Sequence, residues 1–155
     1  MITLTPIGTV RGSRREVTDD FWGDSLAAIE LADHLPAESL DGLDQFSHAE
    51  IIFVFDRVDP AEIVTGTRRP RGNPAWPRVG IFAQRGKARP NLLGATIVRI
   101  ERRDGRRLIV RDLDAVEGTP VVDIKPVLAE FLPREPVRQP QWAHDLMEDY
   151  WKVKS

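Results

Sequence analysis

Three groups of residues in this chain have the types and spacing to do chemistry. The first is Arg89-Pro90-Asn91. Proline fixes the backbone, asparagine offers a donor and an acceptor, and arginine offers a planar fork. Such a set can grip a ligand carboxylate; the alternative is a loop-fixing turn with a solvated arginine. The second is Leu113-Asp114, followed by Gly118-Thr119-Pro120-Val121 and then by Asp123 and Lys125. Glycine leaves space and the proline stiffens the chain, so backbone groups here can read an adenine edge. The same residues serve equally well as a tight turn between strands. Asp123 and Lys125 stand two apart on one side of a strand and are expected to form a structural ion pair. Asp114, at a strand end, is the better ligand contact. The third group is basic: residues 68–100 hold eight arginines and lysines and no acid, while the rest of the chain holds 14 basic and 24 acidic residues. That excess suggests an anionic partner, or else arginines paired with acids elsewhere in the fold.

Other chemistry is excluded by composition. The chain has no cysteine, so disulfides, thiolate catalysis and cysteine-based zinc sites are ruled out. His34, His48 and His144 show no metal-ligand spacing. His48 opens a buried strand, where a histidine is more often a satisfied structural residue than a base. No residue announces itself as a catalytic base. With 155 residues, 41% hydrophobic and 30% charged, the chain suits one domain with a real core. It has neither a membrane-length apolar run nor a secretory signal at its start, and a cytoplasmic location is the simplest expectation.

The elements that must position these residues are mostly short strands. Residues 2–10, 25–31, 48–58, 78–84, 94–103, 106–113 and 121–125 read as strands. The run Ile51-Ile52-Phe53-Val54-Phe55 is apolar enough to be buried on both faces, or to be a barrel strand packed inside and outside. A hairpin is expected around Asp104-Gly105, a preferred pair for a two-residue turn. Pro36 to Leu40 suits one short helix. Residues 59–77 carry four of the twelve prolines and two glycines and read as a long loop. Residues 133–140 are a proline-rich connector, and 141–153 suit a terminal helix with Trp142, Leu146 and Tyr150 or Trp151 on one face. The expected fold is mainly β: a small antiparallel barrel with short helices over residues 1–132, then a helical tail over 133–155. There is no βα alternation and no G-x-G-x-x-G, so a Rossmann-type cofactor site is not expected.

Four segments together resemble the TsaA-like family of tRNA threonylcarbamoyladenosine methyltransferases. They are Ile7-Gly8-Thr9-Val10-Arg11; Gly42-Leu43-Asp44-Gln45-Phe46-Ser47-His48; Arg68-Arg69-Pro70-Arg71-Gly72-Asn73 with Val79-Gly80-Ile81-Phe82-Ala83-Gln84-Arg85 and Arg89-Pro90-Asn91; and Leu113-Asp114 with residues 118–126. The family commonly reads R-S-P-x-R-P-N-P-I-G where this chain has Arg85-Gly86-Lys87-Ala88-Arg89-Pro90-Asn91-Leu92-Leu93-Gly94. Gln84 stands where threonine is usual.

The resemblance implies an antiparallel barrel, a homodimer, and S-adenosylmethionine held by loops near the dimer interface. It assigns the cofactor to Phe82, Ala83, Gln84, Arg85, Arg89, Pro90, Asn91, Asp114, Gly118, Thr119, Pro120, Val121 and Lys125. It implies methyl transfer to the exocyclic nitrogen of a modified adenosine beside the tRNA anticodon. The anticodon loop is then expected to meet Arg68, Arg69, Arg71 and Lys87. Two other functions fit the same residues: a methyltransferase with a different small-molecule or RNA substrate, suggested by the departures at 86–92, and a non-catalytic RNA-binding barrel. The joint presence of Arg89-Pro90-Asn91 and Gly118-Thr119-Pro120 favours a cofactor-binding enzyme over the last.

Overall fold

The computed structural model describes residues 1–155. Eight strands form: β1 (Gly8–Arg11), β2 (Leu26–Leu31), β3 (His48–Val54), β4 (Thr67–Arg68), β5 (Val79–Gly80), β6 (Leu93–Asp104), β7 (Arg107–Arg111) and β8 (Pro120–Pro126). Six of them close into an antiparallel barrel in the order β1-β2-β7-β6-β3-β8, while β4 and β5 pair separately. The expected mainly-β barrel is thus the observed fold. No helix is long and apolar enough to cross a membrane.

Strand alternation builds the core. Along β3, Ala49, Ile51 and Phe53 are buried inside the barrel, and His48, Glu50, Ile52 and Val54 face outward and are half-buried. Val10, Ile29, Val98, Leu108, Val110 and Val121 fill the interior from the other strands. β-Branched residues dominate because they pack well on a pleated surface. Phe53 meets Phe55 edge to face, with ring centroids 5.3 Å apart. Gly94, opposite Phe53 in the β3–β6 register, gives those rings room: a Cβ there would come within 2.6 Å of the Phe53 ring.

Several local expectations shift. Residues 1–6 form no strand; Pro6 has no N–H for a ladder, and pairing begins when Ile7 donates to the Val121 carbonyl at 2.7 Å. The 78–84 strand shrinks to β5: Ile81 still donates to the Gly66 carbonyl in register with the β4–β5 pair, and then residues 81–83 coil into a 3-10 turn that Gln84 closes by donating to the Ile81 carbonyl at 3.2 Å. In the β6–β7 hairpin Asp104 pairs with Arg107, so Gly105-Arg106 form the turn, one residue later than expected, with Gly105 at a φ of 60°. The short helix near Leu40 is a 3-10 turn at Ala37–Leu40.

The terminal helix, α1, spans Gln141–Leu146 and stops early. Residues beyond it leave the helix to bond the loop before β2. Phe21 donates to the Asp149 carbonyl (3.1 Å), Trp22 to that of Tyr150 (2.8 Å) and Gly23 to that of Lys152 (3.3 Å). Contact is so close at Gly23 that a Cβ would lie 2.0 Å from the Trp151 carbonyl oxygen. The segment after α1 is therefore docked on the barrel, not a free tail.

Candidate functional site at one mouth of the barrel

Strand directions sort the loops into two ends. The end of β3 and start of β6 (Val54 opposite Leu93), the start of β8, the end of β1 and the start of β2 lie together at one mouth. The loops there are 12–25, the long excursion 55–92, and 112–119. Both motif-bearing segments, Phe82–Asn91 and Asp114–Pro120, consequently meet at this mouth. The start of β6 connects them: the Ala95 carbonyl accepts from Arg85 of the first segment, and the Thr96 hydroxyl donates to Asp114 of the second.

Backbone strain concentrates at the same place. Six non-glycine residues have positive φ: Phe21, Asp24, Arg71, Asn91, Leu92 and Asp112. All six lie in the mouth loops. Left-handed backbone is tolerated by Asn and Asp but costs bulky residues such as Phe21 and Leu92 about 1–3 kcal/mol each, and persists where surroundings enforce it. Nothing in the residue types of Phe21 or Leu92 signals this.

Individual side chains divide by what they touch. Arg89 donates through Nη1 to the carbonyls of Gln84 (2.6 Å) and Gly86 (3.3 Å), closing its loop, while its Nε and Nη2 have no protein partner. Arg85 bonds the Ala95 carbonyl. Pro90 and Asn91 form a 3-10 turn, with Asn91 exposed. Phe82 is 76% exposed, and Ala83 beside it is exposed too. Gln84 is buried at 8% exposure, and its amide nitrogen donates to the carbonyls of Arg68 and Val79, both at 3.1 Å. The side chain of Gln84 thus braces β4 and β5 from within.

Gly118 has a φ of 84°, and no atom lies within 4 Å of where its Cβ would be. Glycine is needed here for its left-handed backbone, with open space beside it. Its N–H bonds the Val10 carbonyl (2.9 Å), and buried Thr119 donates its hydroxyl to Val116 (2.7 Å). Pro120 pairs with Thr9, and Val121 is fully buried in the core, so its side chain points away from the mouth loops. Asp123 and Lys125 form the expected ion pair at 3.1 Å, toward the opposite end of β8 from Gly118.

The basic group is less free than its sequence suggests. Arg71 forms a two-pronged ion pair with Asp20, at 2.9 and 3.2 Å. Arg69 donates to the carbonyls of Trp76 (2.5 Å) and Pro74 (3.3 Å), and Arg68 to the Gln84 side chain (3.3 Å). Lys87 is exposed with no side-chain partner.

Tyr150 was not singled out as a site residue by its sequence context. Its hydroxyl donates to the second carboxylate oxygen of Asp114. Burial and the charge of Asp114 push its pKa well above the usual phenol value, opposed by Arg85 and Arg71 nearby. The partners are 36 residues apart, so no local spacing could reveal them.

A cleft of about 480 Å³ lies at the opposite end. Leu35, Leu40, Leu43, Phe46 and Ile124 line it. The Gly42–His48 segment therefore sits away from the mouth, and His48, bonded to Ser47 at 2.6 Å, is no candidate base there.

Fold and mouth together define a small closed antiparallel barrel whose sequence motifs gather in the loops of one end. Residues 19–131 match the tRNA-methyltransferase O N-terminal domain model, and the chain belongs to that family. A human tRNA (adenine(37)-N6)-methyltransferase is 38% identical over 105 residues, 68% of this chain and 23% of that protein. The Escherichia coli protein of the same name is 40% identical over 111 residues, covering 66% and 46%. A "Probable S-adenosyl-L-methionine-binding protein" of Pyrococcus abyssi is 33% identical over 143 residues, covering 89% and 74%. A crystal structure of TrmO superposes with a TM-score of 0.72 at 28% identity, covering 90% of this chain and 63% of that one. The chain thus spans about a quarter of the mammalian relatives and less than half of the bacterial one.

Proposed function

We propose that this protein is an S-adenosylmethionine-dependent methyltransferase acting on tRNA, at the exocyclic nitrogen of threonylcarbamoyladenosine beside the anticodon. One observation carries this reading: the Arg89-Pro90-Asn91 loop and the Asp114–Pro120 segment converge at one strained mouth in a chain of this family. The names of the human, bacterial and archaeal relatives support the reaction and the cofactor. A tRNA substrate implies a cytoplasmic protein.

The residues present suit the cofactor. Arg89 keeps Nε and Nη2 for a carboxylate, in the forked geometry that favours two parallel bonds. Gly118 leaves open space beside its backbone for a flat ring. When bound, S-adenosylmethionine supplies an electrophilic methyl group on sulfur. Asn91, Arg85, Pro90 and the 82–83 turn complete the holding loop in this reading, with Asp114 and Thr119–Pro120 across from it. Val121 and Gln84 support from behind, and Lys125 stands further along β8. The protein's contribution is alignment of acceptor nitrogen, methyl and sulfur. No side chain at the mouth is assigned as a base.

Lys87, exposed and unpaired, is the leading phosphate contact, with Arg68 and Arg69 beside it on the excursion. Arg71, held by Asp20, serves chiefly to tie that excursion to loop 12–25. A second copy of the chain is proposed to cover the outer face of β3 and β6. Ile52 and Val54 are half-buried there, and Leu93 and Ile97 are 36% and 45% exposed. Phe53, buried inside at 2%, does not contribute to that face. The test of the function is direct: the purified protein, given S-adenosylmethionine and an anticodon stem-loop carrying threonylcarbamoyladenosine, is expected to yield the N-methylated nucleoside by mass spectrometry. Methylation of another nucleoside would instead favour the different-substrate reading.

A further inference from the structure

The segment after α1 ends in a contact that the barrel does not need for closure. Tyr150 reaches Asp114 through a docking in which three backbone bonds join 149–152 to 21–23. Loop 12–25 is shaped to receive it. Trp22 is buried at 3% exposure, and the Arg14 guanidinium lies 3.6 Å from its ring centroid. Arg14 also bonds the carbonyls of Asp20 and Phe21, and the Asp24 N–H bonds the Asp112 carboxylate at 2.7 Å. Phe21, Asp24 and Asp112 all hold positive φ in this arrangement. Strain of that kind is retained where the held shape is used.

The recipient is the chemically informative part. Asp114 takes Thr96 on one oxygen and Tyr150 on the other. Each carboxylate oxygen has a further lone pair, so a carboxylate clamped from both sides remains an acceptor for a ligand donor. It also cannot rotate away from it.

We propose that Tyr150 is a positioning residue for cofactor binding: the docked C-terminal segment fixes the Asp114 carboxylate, with Thr96, so that it accepts a hydrogen bond from S-adenosylmethionine. This rests on the cofactor assignment above. A fixed acceptor avoids the ordering cost that a mobile side chain would meet on binding. Because the phenol stays protonated far into the alkaline range, the hydroxyl remains a donor throughout the working pH.

The test is titration calorimetry of the full chain with S-adenosylmethionine, for wild type, Tyr150→Phe, Asp114→Asn and the double variant. Tyr150→Phe keeps the ring and removes the hydroxyl; it is expected to raise Kd about tenfold, the scale of one hydrogen bond to a charged group. The double variant is expected to bind no more weakly than Asp114→Asn alone, because both act through one carboxylate. A Tyr150→Phe variant with lowered Tm and unchanged Kd would make the tyrosine merely structural and overturn the proposal. So would independent effects in the double variant. Gly23→Ala lifts the segment and leaves the tyrosine intact; it carries the same expected rise in Kd should Tyr150→Phe fail to fold. If the wild type binds no S-adenosylmethionine, this proposal and the cofactor assignment both fall. If it binds, and Arg89→Ala alone weakens it, this proposal falls by itself.

Discussion

At the scale of single residues, Arg89 and Gly118 bear the cofactor reading for different reasons. Arg89→Ala removes a charged fork and is expected to weaken S-adenosylmethionine binding about tenfold or more by calorimetry. Gly118→Val forces a β-branched residue to a φ of 84° and is expected to cost about 1–2 kcal/mol of stability along with affinity. The basic residues separate in the same way. Lys87→Ala is expected to reduce the slope of log affinity for an anticodon stem-loop against log salt by about one or somewhat less, leaving cofactor affinity intact. Arg71→Ala breaks the pair with Asp20 and is expected to cost about 0–1 kcal/mol by denaturant titration. Tyr150 makes stability depend on alkaline pH. Its pKa is raised on folding by burial and by Asp114, so the folded state holds the phenolic proton more tightly. That stabilisation is fully present below the unfolded phenol pKa of about 10 and is lost as pH rises above it. Wild type is therefore expected to lose more stability than Tyr150→Phe between pH 9 and pH 11, read from thermal unfolding.

At the scale of elements, Gly94 shows how β3 and β6 constrain each other. Gly94→Ala drives a methyl into the edge-to-face Phe53–Phe55 pair and is expected to cost about 1–3 kcal/mol by denaturant titration. The strands themselves were largely legible in the sequence. Alternation in β3 and the apolar pattern of β6 and β7 follow from one face being inside. What the sequence concealed was set by distant partners. The extended run ends after Ile81 because residues 81–83 turn to place the buried Gln84 amide on the carbonyls of Arg68 and Val79, and α1 stops because residues 149–152 find partners at 21–23. The turn falls on Gly105-Arg106 because strand register outranks the local preference of an Asp-Gly pair.

At the scale of the molecule, the sequence motifs were legible as a set, but their assembly was not. Arg89 and Gly118 are far apart in the chain, and closure of the barrel brings their loops to one end. The same closure sends Gly42–His48 to the other end, beside the apolar cleft. The strained backbone at Phe21 and Leu92 left no trace in residue type, since neither is a turn former. The outer face of β3 and β6 sets the expected assembly. Light scattering at micromolar concentration is expected to report a dimer, and Ile97→Glu, which puts a charge on that face without touching the core, is expected to report a monomer.

The excursion 55–92 leaves the barrel at one strand and rejoins it at the neighbour to which that strand is already hydrogen-bonded, Val54 opposite Leu93. Its two ends are pinned by the ladder itself. The closure entropy of such a loop grows only with the logarithm of its length. Insertions and deletions in its middle therefore leave the strand register unchanged. Evolution can lengthen, shorten or recharge this segment while the scaffold stays folded, which makes it the natural place for surface chemistry to change without refolding the barrel.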